Sequence, residues 1–221
     1  SIIDNFKRSI PERIKQFEHN PNFQAHNCDI RDINQIKPLF KDIDCVFHLA
    51  AINGTANFYK IPIEIMNVGI DGIRNVLEAS DYHNVPNIIA ASSAEVYQTP
   101  LIVPTDESVG LSIPDIKNPR FSYGLSKIIT ESYCINYDFI NESKVKIFRP
   151  HNIYGPDMGF KHVIPQFIKK LLEMKNDNTS KFISQGSLEA TRAFCYVSDL
   201  IKGLFVLEKS EINQEIFHIG T

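Results

Sequence analysis

Ile88-Ile89-Ala90-Ala91-Ser92-Ser93 is a short run of apolar residues that stops at two hydroxyls. Apolar character at every position, rather than every second one, marks a strand buried on both faces. Outward from it, short apolar runs at 23–27, 45–49, 145–148, 181–184 and 215–219 alternate with longer amphipathic stretches at 32–40, 61–83, 122–140, 163–174 and 197–209. That alternation is the βαβα pattern of an α/β fold, a doubly wound parallel sheet with helices on both faces. Within 61–83, Ile65, Val68, Ile73, Val76 and Leu77 recur at helical spacing and predict one face packed on the sheet. Asp32 is placed to cap a helix start, and Asn84-Val85-Pro86 ends the long helix.

The 221 residues are 43% hydrophobic and 22% charged, enough to bury a sizeable core. A net charge of −3 argues against nucleic acid or an acidic membrane surface as the main partner. No apolar run approaches the roughly 20 residues that span a bilayer. No basic, apolar leader precedes Asp4. The four cysteines, Cys28, Cys45, Cys134 and Cys195, are scattered without a CxxC pair, so neither a disulfide framework nor a metal site is expected. Cys28 and Cys45 fall in strand-like runs and predict buried thiols. A reducing, cytoplasmic setting follows as the expectation.

Residues 98–120 contain Pro100, Pro104, Pro114 and Pro119 with few periodic apolar residues, and predict one long loop of the kind that carries function. Residues 149–161 predict a second irregular segment. Ile2-Ile3-Asp4-Asn5 resembles the end of a strand, and the chain closes just after the run at 215–219, so both ends are expected to be cut.

Tyr123 and Lys127 are four residues apart and share a helix face. A phenol titrates near 10, and an adjacent ammonium favours its ionised form. The pair therefore suits proton transfer in alcohol–ketone interconversion. Ser92-Ser93 sits where the strand 87–91 ends at its carboxyl edge, the place where open α/β sheets bind ligands. A serine there can donate to the carbonyl oxygen that the tyrosine serves; on their own, two serines are also ordinary turn residues.

An ordered set of motifs adds to this. Asp4-Asn5, Cys28-Asp29-Ile30, His48-Leu49-Ala50-Ala51, Asn67-Val68, Ser92-Ser93-Ala94-Glu95-Val96-Tyr97, Tyr123-Gly124-Leu125-Ser126-Lys127, Arg149-Pro150-His151-Asn152-Ile153-Tyr154-Gly155-Pro156 and Thr191-Arg192-Ala193-Phe194-Cys195-Tyr196-Val197-Ser198-Asp199 follow one another along the chain. The set resembles the extended short-chain dehydrogenase/reductases, which include UDP-glucose 4-epimerase and the sugar-nucleotide 4,6-dehydratases. The resemblance implies a Rossmann-like fold with residues 1–150 binding NAD and residues 151–221 forming a smaller substrate-binding lobe with a return helix and strand. It implies that Asp4 and Asn5 hold the adenosine ribose and that Asp29-Ile30 meet the adenine. Leu49, Ala50, Ala51, Asn67, Ser92 and Pro150 would line the cofactor. Ser93, Tyr123 and Lys127 would be catalytic, Lys127 also reaching the nicotinamide ribose. Asn53, Ser93, Asn152 and Arg192 would touch a nucleotide-diphosphate sugar, and the two long helices, 61–83 and 122–140, would pair two copies into a homodimer.

The family's Gly-rich turn should lie roughly 20 residues before the ribose acid, and only three residues precede Asp4. Gly69-Ile70-Asp71-Gly72 does not replace it, because it falls inside a predicted helix. Gln98 stands where many relatives have glycine. The 4,6-dehydratases resemble a hydroxyl–Asp–Glu series; here it is Ser93-Ala94-Glu95, so the usual acid is missing while Glu95 remains as a further catalytic candidate. The resemblance therefore implies C4 epimerisation first. A 4,6-dehydratase, decarboxylase or 4-reductase of the same family is the alternative, and a non-catalytic nucleotide sensor is a second one.

Overall fold

The computed structural model describes residues 1–7, 11–100, 102–160, 162–176, 189 and 191–220. In chain order the elements are β1 (Ile2–Asp4), α1 (Glu12–Lys15), β2 (Ala25–Asn27), α2 (Ile33–Ile36), β3 (Cys45–His48), α3 (Thr55–Lys60), α4 (Pro62–Tyr82), β4 (Asn87–Ala91), α5 (Ser122–Asn136), β5 (Lys144–Pro150), β6 (Asn152–Tyr154), α6 (Val163–Asn176), β7 (Phe194–Tyr196), α7 (Val197–Lys209) and β8 (Glu215–Ile219). Among the described residues, three single 3₁₀ turns, Lys37–Phe40, Ala94–Val96 and Pro119–Phe121, accompany them.

Every strand pair is parallel. Four strands form the main sheet in the order β3-β4-β5-β8, while β1-β2 and β6-β7 are separate two-stranded ladders. Residues on both sides of position 150 thus share the main sheet, through the β5–β8 ladder.

The pleat sorts side chains between the two helical layers. Ile88, Ala90, Val145 and Ile147 point to the face covered by α4 and α5, where they pack with Ile73, Leu77 and Cys134. Ile89 and Phe148 point the other way, onto Leu204 and Leu207 of α7. This is why the run at 88–91 is apolar throughout. A third cluster joins Ile36, Phe40, Val76, Ala79 and Val85 beneath β1 and β3. Helices α4 and α5 approach closely at Gly69, where a Cβ would lie 2.8 Å from Ser126 Cβ.

Asp32 caps α2 through bonds accepted from the amides of Asn34 and Gln35. The predicted helix at 122–140 stops at Asn136, because the chain turns extended at Tyr137 (ψ 124°). The segment 149–161 is not wholly irregular: β6 pairs with β7 from 42 residues away, a partnership no local pattern signals. Cys134 and Cys195 are buried, but Cys28 and Cys45 are only half-buried, since strand ends near an open edge are less covered than its centre. The strand predicted at 181–184 lies outside the described residues. No helix among the described residues is long and apolar enough to cross a membrane.

Candidate active site

β3, β4 and β5 are parallel neighbours, so their carboxyl ends carry Leu49, Ser92 and Pro150 to one edge of the main sheet, while Asp4 ends β1 in the separate β1-β2 ladder. At β4 the chain bends into the 3₁₀ turn Ala94–Val96. Ser93 caps this turn, its Oγ accepting the Glu95 amide at 3.2 Å. Because that bond uses an acceptor lone pair, the Ser93 hydroxyl keeps its own proton to donate. Ser92 is different. Its hydroxyl is buried and donates in a very short bond to the Glu131 carboxylate. Of the two serines, geometry leaves Ser93 as the one able to serve a reacting oxygen.

Helix α5 supplies the facing groups at one-turn intervals. Tyr123 is buried and lies parallel to Phe58 of α3, with ring centroids 5.4 Å apart and planes at 10°. Lys127 is 2% exposed, donates to the Ala91 carbonyl at 2.6 Å and sits 5.9 Å from the Tyr123 ring centre. Burial pushes the Lys127 ammonium down to about 8, so it still carries its charge at neutral pH. His48, buried at the end of β3, is pushed down to about 3 by desolvation and then by Lys127, and its Nε2 meets no hydrogen-bond partner among the described residues.

One turn further, Glu131 anchors a buried network. Arg149 of β5 reaches its two oxygens at 2.8 and 2.7 Å. Arg149 also donates to the Tyr97 hydroxyl and, at 3.2 Å, to the Glu107 carbonyl. The Tyr97 hydroxyl lies 2.7 Å from His218 Nε2 on β8. Through Ser92, Glu131 and Arg149, the network fixes the β4 turn, α5 and β5 to one another. Sequence reasoning missed Glu131, although Tyr123, Lys127 and Glu131 lie on one helix face and an arginine inside a buried strand demands a counter-charge.

Glu95 is not free in the site. Arg120, in the 3₁₀ turn before α5, places one guanidinium nitrogen 3.1 and 3.0 Å from its two oxygens. Gln98 holds φ 55° and its amide donates to the Glu95 carbonyl at 2.5 Å. The left-handed backbone explains why glycine suits this position, and the amide bond shows what glutamine adds.

The other expected residues divide. Asn5 donates to Asp29 at 3.2 Å, so β1 and β2 present them together. The Asp29 carboxylate also takes three bonds from Arg31, two from its guanidinium and one from its amide, which hold it well below the usual carboxylate range. Ile30 packs against Gly72 of α4. Asp4 accepts the Phe6 amide at 2.6 Å. Ala51 packs in the cluster of Phe58 and Tyr123. Asn53 and Asn67 are exposed. Asn152 and Arg192 are also exposed; Asn152 opens β6 in the separate β6–β7 ladder and is tied to the Ala193 carbonyl at 2.9 Å, one residue after Arg192, which precedes β7. Acceptors at the end of β1, small side chains after β3 and a buried lysine under β4 fit a nicotinamide dinucleotide.

The model of the NAD dependent epimerase/dehydratase family matches residues 4–220. This chain belongs to that family. Among family relatives, it is 31% identical over 226 residues to a UDP-N-acetyl-alpha-D-glucosaminuronate decarboxylase of Bacillus cytotoxicus, covering 100% of this chain and 67% of that protein. It is 33% identical over 225 residues to a putative UDP-glucose 4-epimerase of Methanocaldococcus jannaschii, covering 100% of this chain and 68% of that one. The chain spans from just under half to about two thirds of the length of the curated relatives it matches. Among solved structures, a UDP-N-acetylglucosamine 4-epimerase from Methanobrevibacter ruminantium M1, in complex with UDP-N-acetylmuramic acid, superposes with a TM-score of 0.84 at 25% identity, covering 99% of this chain and 67% of that one. The Rossmann-like expectation and the family's NAD dependence agree with these findings.

Proposed function

We propose that this member of the epimerase/dehydratase family interconverts nucleotide-diphosphate sugars epimeric at C4. The observation that carries the reading is the pairing of Tyr123, Lys127 and the donor Ser93 with Ala94 and an occupied Glu95. The site has groups for removing and returning a proton at a sugar oxygen, but nothing at position 94 to protonate a leaving hydroxyl.

Bound NAD supplies the hydride acceptor and donor. Asp4, Asn5, Ala50, Ala51 and Lys127 are the residues assigned to hold it. Tyr123 takes the C4 hydroxyl proton, with the Lys127 charge beside the phenol. Ser93 donates to the C4 oxygen as the carbonyl forms. The 4-keto sugar turns over in the site, so that hydride would return to the other face of C4 while Tyr123 gives its proton back to the C4 oxygen. Asn152 and Arg192 are assigned to the diphosphate; the guanidinium suits it by charge and planarity. Two copies pairing through α4 and α5 belong to the same reading.

Decarboxylation is the second reading, favoured by the decarboxylase names among the relatives and by the presence of Glu95. Proton NMR of the full-length protein with UDP-, GDP-, dTDP- and CDP-sugars separates the two. A mixture of C4 epimers without net NADH is expected. A 4-keto-6-deoxy or decarboxylated product would refute epimerisation. Tyr123→Phe should lower turnover by at least roughly 10²-fold, whereas a nucleotide sensor would keep its ligand response.

A further inference from the structure

Glu95 lies two residues beyond Ser93, in the same short turn, and is the one carboxylate of that turn. A 4-keto sugar has an acidified hydrogen at C5, and a free carboxylate beside it is a competent base. Arg120 stands in the way. Its Nη2 contacts both Glu95 oxygens, while its Nη1 is buried without a hydrogen-bond partner among the described residues. The guanidinium carbon lies 5.0 Å from the centre of Phe58, the ring stacked on Tyr123. Arg120 is itself anchored, since Asn118 caps its turn by accepting the Arg120 amide at 2.9 Å. The cation is thus fixed by a capped backbone below and an aromatic face beside it. Both side chains keep some exposure, 27% for Arg120 and 37% for Glu95, so the capped turn and the Phe58 face, rather than burial, hold the pair.

We propose that Arg120 is a positioning residue that keeps Glu95 from acting as a base at sugar C5, and so confines this site to chemistry at C4. The inference rests on the C4-epimerase reading above. A carboxylate gripped by a guanidinium has its basic lone pairs engaged, and must give up charge-assisted bonds to reach a carbon acid. In the suppressed side reaction the C5–H bond breaks, its electron pair moves into the C4 carbonyl to give an enolate, and the proton passes to Glu95. Reversal in D₂O returns a deuteron to C5, so no oxidant or reductant is needed.

The test supplies the ketone directly, as UDP-4-keto-6-deoxyglucose, to the full-length protein in D₂O. Deuterium at C5 collapses the C6 methyl doublet in the proton NMR spectrum. Wild-type protein is expected to exchange C5 no faster than the enzyme-free solution. Arg120→Gln should exchange roughly 10²-fold faster, the usual contribution of a general base. Arg120→Gln combined with Glu95→Gln should fall back to background. Arg120→Lys, which keeps the charge but loses the planar fork, should lie between, and carries the test if Arg120→Gln does not fold. Fast C5 exchange by the wild type overturns the proposal, as does background exchange by folded Arg120→Gln or Arg120→Lys. C4 epimerisation with unaltered exchange in the variants sinks the Arg120 assignment alone; no C4 epimerisation by the wild type sinks the parent reading.

Discussion

Arg149→Met would leave the Glu131 carboxylate, 5% exposed, facing an aliphatic chain. Two bonds at 2.8 and 2.7 Å vanish, and the Tyr97 hydroxyl loses its donor as well. Stripping the partner from a buried charge costs about 3–5 kcal/mol. Glu131→Gln inverts the problem: the amide can still meet Ser92, but the Arg149 side chain, 3% exposed, keeps its charge without a counter-ion. A similar cost of about 3–5 kcal/mol is expected. The double variant carries no uncompensated charge, so its cost should fall below about 3 kcal/mol rather than reach the additive sum of about 6–10. Urea denaturation followed by circular dichroism, compared at constant slope, gives the three free energies. A coupling of at least about 3 kcal/mol is expected. Additivity within about 0.5 kcal/mol would refute the reasoning, because it would mean that water reaches the pair. Catalysis offers a second reading of the same variants. The network ties the Ser92-Ser93 turn to α5, so kcat should fall more than KM rises.

Gly124→Ala would normally stabilise a helix interior by up to about 1 kcal/mol. Here the new Cβ would lie 2.5 Å from Gln98 Nε2 and 3.0 Å from the Glu95 carbonyl, so the turn carrying Ser93 must move. A net loss of about 1–3 kcal/mol and a fall in kcat are expected; a more stable, fully active variant would contradict the packing. His48 has its folded pKa depressed from 6.5 to about 3, so the unfolded chain binds the extra proton between those values. Its contribution is complete above pH 6.5 and is lost as pH falls toward 3, with a slope of about 1.4 kcal/mol per unit. His48→Gln should flatten the acid limb of the stability profile, and unchanged acid sensitivity would show that the ring is hydrated in the fold.

Much of this protein was legible before its structure, and the reasons are local. Burial on both faces left β4 apolar from Ile88 to Ala91, and β8 and α7 fall where the apolar pattern puts them. Tyr123 and Lys127 were readable as a pair because helical spacing fixes their common face. Where the pattern faltered, the partners were distant. β6 and β7 are too short to show a period, and they exist because they pair with each other. The short helix α3, which brings Phe58 onto Tyr123, lies in a stretch with no strong apolar period.

By itself, the sequence determined the alternating α/β order, the parallel sheet and the helix face that presents Tyr123 and Lys127. Each of these follows from residues within a few positions of one another. Only the tertiary structure decided that Ser92 is committed to Glu131 while Ser93 keeps a proton to donate, and that Glu95 is held by Arg120. It also decided that Arg149 and Tyr97 join β5 to β8. Those partners are separated by 39 residues for Ser92 and Glu131, 25 for Arg120 and Glu95, and 121 for Tyr97 and His218. No periodicity spans such distances. A buried polar group takes whichever partner the packed chain brings to it, and that choice exists only once the core has formed.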